Sequence, residues 1–418
     1  MHGTRRETPQ TDSLRRGGNA PSQAAGRAYV AIPGPSVVPD RVLAAMHRPS
    51  PNIYAGEIVE MTHALIPDLK RVALCSGHVA IYIANGHGAW EAALTNMFSR
   101  GDRALVAATG RFGHGWADAA RRMGVDVELI DFGRTAPADP ARIADALAAD
   151  RGRAIKAVLV TQVDTASSAR NDIAAIRAAI DGAGHPALLA VDSIASIGCD
   201  ELRFDEWGID VLIGASQKGL MLPPGLAFVW FSEKARAACE NSDLVTPYWD
   251  WKPRTAVTEF YQYFGGTAPT HHLYGLRVAL DMLFEEGLEQ VWARHDRLAR
   301  AVWAAFDAWG AGGDIGLNMK DPTARGRSVT AARIGDGGAG RLRAWLESEA
   351  GVTLGIGLGM ALPTEAAYQD FLRVAHMGHV NAHMTLGVLA TMEAGMQALG
   401  IPHGKGALAA AASVVAAG

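Results

Sequence analysis

Between about residues 80 and 232, short apolar runs alternate with longer segments of helical period. The runs at 104–108, 125–132, 155–161, 187–191, 211–215 and 226–231 predict strands. The segments 89–98, 113–123, 139–149 and 172–180 predict helices. Strands alternating with helices of this length imply an α/β fold, with a mainly parallel sheet sandwiched between helices. Ligands of such a sheet bind beyond the carboxyl ends of its strands.

The pattern then changes. Residues 241–270 are irregular and rich in aromatics and proline. A long helical stretch follows from 271 to about 309, with a break at Glu286-Gly287. The remainder mixes short strands and helices and reads as a smaller α+β domain. Its Ala-rich end, 406–418, is weakly specified. The expected division is a disordered extension over 1–27, a large domain over 28–285 and a small C-terminal domain over 286–418. A chain of 418 residues is long enough for this.

Composition narrows the function classes. A net charge of −4 offers no basic footprint for nucleic acid. No apolar run reaches the roughly 18 residues of a membrane span. Cys75, Cys199 and Cys239 are widely spaced and give neither a disulfide framework nor a metal-ligand pair. No metal site is expected, and the cytoplasm is the expected compartment. Residues 1–27 hold five arginines among Gly, Ser, Gln and Pro, without the apolar segment of a secretory signal.

Candidate chemistry enters at Lys218, in Ala215-Ser216-Gln217-Lys218-Gly219, just past a predicted strand. Asp192 ends an earlier strand, in Ala190-Val191-Asp192-Ser193. A strand-end carboxylate followed by a strand-end lysine suits pyridoxal 5'-phosphate. The amine joins the cofactor's aldehyde, and the carboxylate keeps the pyridine nitrogen protonated. The chain has seven lysines, and the other six lie in polar helices, at a strand start or in loop-like sequence. Only Lys218 combines strand-end placement with small, uncharged neighbours. Desolvation there favours the free amine that a nucleophile requires. Alone, a lysine closing a strand at the surface is the commoner case; its companions reverse the odds.

Gly86-His87-Gly88 opens a helix whose free N–H groups suit a phosphate, or it is a plain loop-to-helix turn. Phe112, between a strand and a helix, can stack on a pyridine ring or fill a core. Thr165 can reach the ring's oxygen or close a turn. Thr267, in Gly265-Gly266-Thr267, can donate to phosphate or end a strand. Arg373 stands in an apolar strand, where burial demands an anionic partner. That partner is a substrate carboxylate held in a bidentate fork or an internal salt bridge.

Taken together, these residues resemble the class V aminotransferases of fold type I, in particular the serine–glyoxylate and alanine–glyoxylate group. The resemblance runs from about Ile32 to the C-terminus. It is carried by Ile32-Pro33-Gly34-Pro35, Gly88-Ala89-Trp90-Glu91-Ala92-Ala93, Val191-Asp192-Ser193-Ile194-Ala195-Ser196, Ser216-Gln217-Lys218-Gly219 and Leu222-Pro223-Pro224-Gly225-Leu226. Tyr248-Trp249-Asp250-Trp251 resembles the serine–glyoxylate branch. The resemblance implies a ping-pong transfer of an amino group from a small L-amino acid to a 2-oxo acid such as glyoxylate. It implies Lys218 and Asp192 as catalytic residues and Phe112 as the stacking ring. Gly86, His87, Gly88 and Gln217 would hold the phosphate, and Thr165 would sit near the ring oxygen. Arg373, helped by the backbone at Gly34, would bind the substrate carboxylate. Thr267 would reach the phosphate of a neighbouring subunit, so a homodimer with active sites at its interface is implied.

One departure concerns the donor. Relatives carry a His-Arg-Ser/Gly-Pro segment where this chain has Ser50-Pro51-Asn52-Ile53-Tyr54-Ala55-Gly56-Glu57. Two alternatives keep the cofactor: a class V lyase of desulfurase type, which needs a mobile nucleophilic cysteine, and a non-catalytic cofactor-binding protein. A nicotinamide dehydrogenase is remote, because Gly86-His87-Gly88 lacks the full glycine pattern.

Overall fold

The computed structural model describes residues 23–417. Most of the expected disordered extension, residues 1–22, lies outside the described residues. A short first strand, β1 (Tyr29–Ala31), precedes β2 (His78–Tyr82), β3 (Arg103–Ala108), β4 (Asp126–Asp131) and β5 (Ile155–Thr161). Next come β6 (Leu188–Asp192), β7 (Val211–Ala215) and β8 (Ala227–Phe231). The strands β2 to β8 form one seven-stranded sheet in the order β2-β8-β7-β6-β5-β3-β4. The strands β6, β7 and β8 are buried at every position, as central strands covered on both faces must be.

The strands β4, β3, β5, β6 and β7 run parallel to one another. Strand β8 runs antiparallel to both β7 and β2. The 216–226 connection between β7 and β8 contains no helix, and a parallel return needs a longer crossover. The predicted strands at 155–161 and 211–215 coincide with β5 and β7.

The second sheet is built from β9 (Ile315–Leu317), β10 (Val329–Ile334), β11 (Val352–Ile356) and β12 (Phe371–Ala375), in the order β1-β11-β12-β10-β9. The expected large domain begins at 28, yet β1 pairs in parallel with β11 and belongs to this smaller sheet. The long helical stretch divides into Thr270–Glu286 and Leu288–Gly310, separated by Gly287 at φ 89°. Glycine accepts that conformation without steric penalty. The Ala-rich end forms a helix over Ala407–Ala416, which buries Ala407 and Ala411 against the smaller core. High alanine propensity supplies the helix, and tertiary burial fixes it.

Among the described residues, no helix is long and apolar enough to cross a membrane.

Candidate active site

Four neighbouring parallel strands deliver the candidate residues to one edge. Phe112, Thr165 and Lys218 follow the carboxyl ends of β3, β5 and β7, and Asp192 is the last residue of β6. Neighbouring strands lie about 4.8 Å apart, so residues placed this way converge on one small volume. They line a cavity of about 260 Å³, together with Gly86, His87 and Gln217. It adjoins a wide cleft of about 1180 Å³, and His87, Trp90 and Phe112 line both.

Lys218 is the one lysine of the seven that is buried. Its Nζ donates to the carbonyl of Pro33. Ser36 ties the same segment down: its hydroxyl donates to the Lys218 carbonyl at 2.7 Å, and its N–H donates to the Gln217 carbonyl at 2.9 Å. Gly34 lies against the amine at φ +93°, and a Cβ there would come 2.5 Å from Nζ. Burial pushes the ammonium down from 10.5 to about 8; the positive charge of Arg373 adds to this and Asp192 opposes it.

This has a consequence for stability. An unfolded lysine keeps its ordinary value, so between about pH 8 and 10.5 the unfolded chain binds more protons than the folded one. Stability of the cofactor-free protein therefore rises through that window, by roughly 3 kcal/mol from this residue. Urea denaturation at about pH 8 and about pH 10 is expected to show wild type gaining on Lys218→Met. Equal changes in both proteins would mean that the amine is solvated.

Asp192 is buried beside Lys218, with both oxygens bonded. Trp90 Nε1 donates to Oδ2 at 2.8 Å, and the N–H of Ile194 donates to Oδ1 at 2.8 Å. Burial pushes this carboxyl up to about 6, against the pull of those two bonds. A second buried carboxylate, Asp164, sits at the start of the Arg111–Arg122 helix. It accepts from the N–H groups of Phe112 at 2.8 Å, Gly113 at 3.2 Å and Ala166 at 2.9 Å. Burial raises its carboxyl, and these bonds oppose the rise. Asp164 thereby fixes the backbone that carries the Phe112 ring to the cavity wall.

The Gly86–Met97 helix has Asn85 as its N-cap. Asn85 Oδ1 accepts from the N–H groups of His87 at 3.1 Å and Gly88 at 3.3 Å. Two groups that the glycine turn was expected to leave free are thus capped by a neighbouring side chain, a role asparagine fills well. A Cβ at Gly86 would come 2.5 Å from Ile194 Cδ1, so the turn packs closely on the cavity wall, and a larger residue there would have to displace the end of that side chain. Gln217 reaches the same wall, and among the described residues its buried Oε1 has no hydrogen-bond partner.

Arg373 is buried in β12 just behind the cavity and is not one of its lining residues. Its Nε donates to the Ile356 carbonyl at 2.7 Å and its Nη1 to the Thr165 carbonyl at 3.0 Å. Among the described residues no carboxylate pairs with it, so the internal salt bridge is not formed. Burial pulls its guanidinium down to about 10, with Asp164 opposing. Thr267 is exposed and does not reach the cavity.

Trp90, Asp164 and Asn85 stand in contact with the candidate residues, and the sequence pattern does not single them out. Asp164 adjoins Thr165, and Trp90 stands in the Ala89-Trp90-Glu91 stretch that carries the resemblance, so both lay within reach. Their roles depend on contacts 52 and 102 residues away along the chain. All three cysteines are buried, and burial pushes Cys75 and Cys199 up to about 12 and Cys239 up to about 11. None is the accessible thiolate that a desulfurase needs.

Comparison with known proteins agrees with this geometry. Residues 29–383 match the family model for class V aminotransferases. The chain is 38% identical over 400 residues to serine–glyoxylate aminotransferase of Methylorubrum extorquens, covering 94% of this chain and 97% of the relative. It is 38% identical over 386 residues to L-aspartate–glyoxylate aminotransferase of Paracoccus denitrificans, covering 91% and 94%. Among solved structures, ureidoglycine–glyoxylate aminotransferase from Bacillus subtilis superposes with a TM-score of 0.83 at 26% identity, covering 94% of this chain and 98% of that one. Pyridoxamine–pyruvate aminotransferase from Mesorhizobium loti gives 0.84 at 26% identity, with the same coverage.

Proposed function

Because the chain belongs to the class V aminotransferase family, we propose that it moves an amino group from a small L-amino acid to glyoxylate, with Lys218 and Asp192 as its catalytic pair. One observation carries the reading. The buried lysine and a buried carboxylate, at the ends of adjacent strands, line one cavity.

The enzyme is a pyridoxal-phosphate-dependent transaminase. When bound, the cofactor draws electron density from the substrate's α-carbon and carries the amino group from donor to acceptor. The residues present suit it. Lys218 supplies an amine near neutrality, Phe112 an aromatic wall, and Gln217 an unpartnered polar atom beside a glycine-cradled turn. In this reading Lys218 would hold the aldehyde carbon and Asp192 the ring nitrogen, and Gly86, His87, Gly88 and Gln217 would hold the phosphate, with the N–H groups of His87 and Gly88 turning to it from Asn85 Oδ1. Thr165 serves the ring oxygen.

Lys218 then takes the substrate's α-proton, a task suited to an amine titrating near working pH. The buried setting keeps water from competing for that proton. Arg373 lies behind the cavity wall, bonded to the Thr165 carbonyl, and pairs with no carboxylate among the described residues; it would bind the substrate α-carboxylate, with Gly34 closing the pocket over Lys218. Thr267 serves the phosphate of a second copy, since it is exposed on its own chain. The homodimer this requires, and a cytoplasmic location, belong to the same reading.

Serine, aspartate and alanine are the donors to test, and glyoxylate, pyruvate and oxaloacetate the acceptors. The two relatives named for serine and L-aspartate share glyoxylate. Glyoxylate is expected to be the best acceptor, yielding glycine and the donor's 2-oxo acid. Arg373→Ala is expected to lose about 2–5 kcal/mol in kcat/KM for every donor, since each carries the same α-carboxylate. An unchanged KM for amino acids would remove Arg373 from the substrate site. Release of sulfide from cysteine would favour the lyase, and a bound cofactor inert to every amino acid would favour a non-catalytic protein.

A further inference from the structure

Trp90 has no part in the proposed chemistry, yet it is the only side chain bonded directly to Asp192 among the described residues. We propose that Trp90 is a positioning residue: its indole N–H holds the Asp192 carboxylate in the direction and charge state that the cofactor's ring nitrogen requires. The inference rests on the assignment of Asp192 to that nitrogen.

The bond is 2.8 Å and buried on both sides. A hydrogen bond to an ionised acceptor is among the stronger kinds, and a low-dielectric setting strengthens it. Each oxygen of Asp192 accepts one N–H, Oδ2 from Trp90 and Oδ1 from Ile194. Two donors at fixed points stop the carboxylate from turning, while its remaining lone pairs stay available to a further partner.

Trp90 is itself immobilised. It stacks on Trp116 at 6.3 Å and 14° between planes, and meets His87 edge-on at 4.6 Å and Phe112 at 6.3 Å. A Cβ on Gly115 would come 3.1 Å from its six-membered ring, so that wall fits closely. Trp90 stands one turn into the helix that opens with Gly86 and His87. One helix therefore presents the turn to the cavity and holds the carboxylate in the same wall.

The choice of donor matters. Burial drives Asp192 toward its neutral acid, and nearby Asp164 pushes the same way while Lys218 pushes back. A neutral acid cannot neutralise a protonated pyridine. An indole N–H only donates and does not titrate in the working range, so it favours the anion at every relevant pH.

The test uses full-length protein and pyridoxal phosphate. Trp90→Phe keeps an aromatic ring and removes the donor. Trp116→Phe is the matched control, because among the described residues the buried Trp116 Nε1 has no hydrogen-bond partner. Absorbance titration of each cofactor-free protein gives the dissociation constant across the neutral range. Trp90→Phe is expected to bind about 10- to 100-fold more weakly, the loss growing as pH falls, with Trp116→Phe close to wild type. Equal loss in the two variants, or none in Trp90→Phe, overturns the proposal. A second measurement needs no variant to fold: the indole ¹⁵N–¹H resonance of Trp90 in wild type is expected to shift when cofactor is added. An unmoved resonance also overturns it. If Asp192→Asn itself binds as wild type, the assignment of Asp192 fails and this inference falls with it. A defective Asp192→Asn beside a normal Trp90→Phe leaves that assignment standing and removes Trp90 alone.

Discussion

Lys218→Ala is expected to leave no measurable transamination, a fall of at least about 10⁴-fold in kcat. The residue performs two tasks with one amine, covalent attachment and proton transfer, and the second alone is worth about 10²–10⁴. No other lysine can substitute, because the other six are at least partly exposed and line no part of the cavity. The measurement is direct. Borohydride reduction of the cofactor-loaded protein followed by peptide mapping should mark the Gln217-Lys218-Gly219 peptide in wild type and no peptide in the variant. A mark on any other lysine, or activity within about tenfold of wild type, would sink the assignment. The fold should survive, since removing a desolvated ammonium relieves a burial cost.

The second large effect is expected at Asp192→Asn, about 10²–10³-fold in kcat, in the range found when one preorganised electrostatic partner is lost. The substitution is nearly isosteric. An amide oxygen can still accept one of the two N–H groups that now reach the carboxylate, so the cavity wall should stay in place. What disappears is the negative charge, and with it the preference for a protonated ring. Stopped-flow rates of α-proton removal would isolate this step from substrate binding. A rate within about threefold of wild type would show that the carboxylate does not face the ring nitrogen.

Much of the larger sheet is legible in the sequence because its central strands are continuous apolar runs with punctuation at both ends. β5 and β7 carry no polar residue that could blur their limits, apart from the exposed Lys156 at the start of β5 and Thr161 at its end. Phe112, Thr165, Asp192 and Lys218 are far apart along the chain, and the tendency of parallel sheets to bind ligands at their strand ends is enough to group them. Other features are not readable from local pattern. β1 is only three residues long, and its place in the smaller sheet depends on a partner more than 300 positions away. The helix at 407–416 looks featureless because alanine has no amphipathic contrast; only burial of Ala407 and Ala411 reveals its inner face. Asn85, which caps His87 and Gly88, stands just outside the glycine motif that marks the turn. Arg373 is legible as a buried cation, though its two backbone carbonyl partners are not.

The pairing of β1 with β11 bears on when this protein becomes reactive. Residues Pro33, Gly34 and Ser36, which close over the Lys218 amine, follow directly after β1, and β1 has no sheet to join until Val352–Ile356 exists. Without that pairing, the segment that touches the Lys218 amine has no sheet to hold it in place. A chain cut short before Val352 would leave the segment over Lys218 unanchored, and its amine more open to water and to a proton.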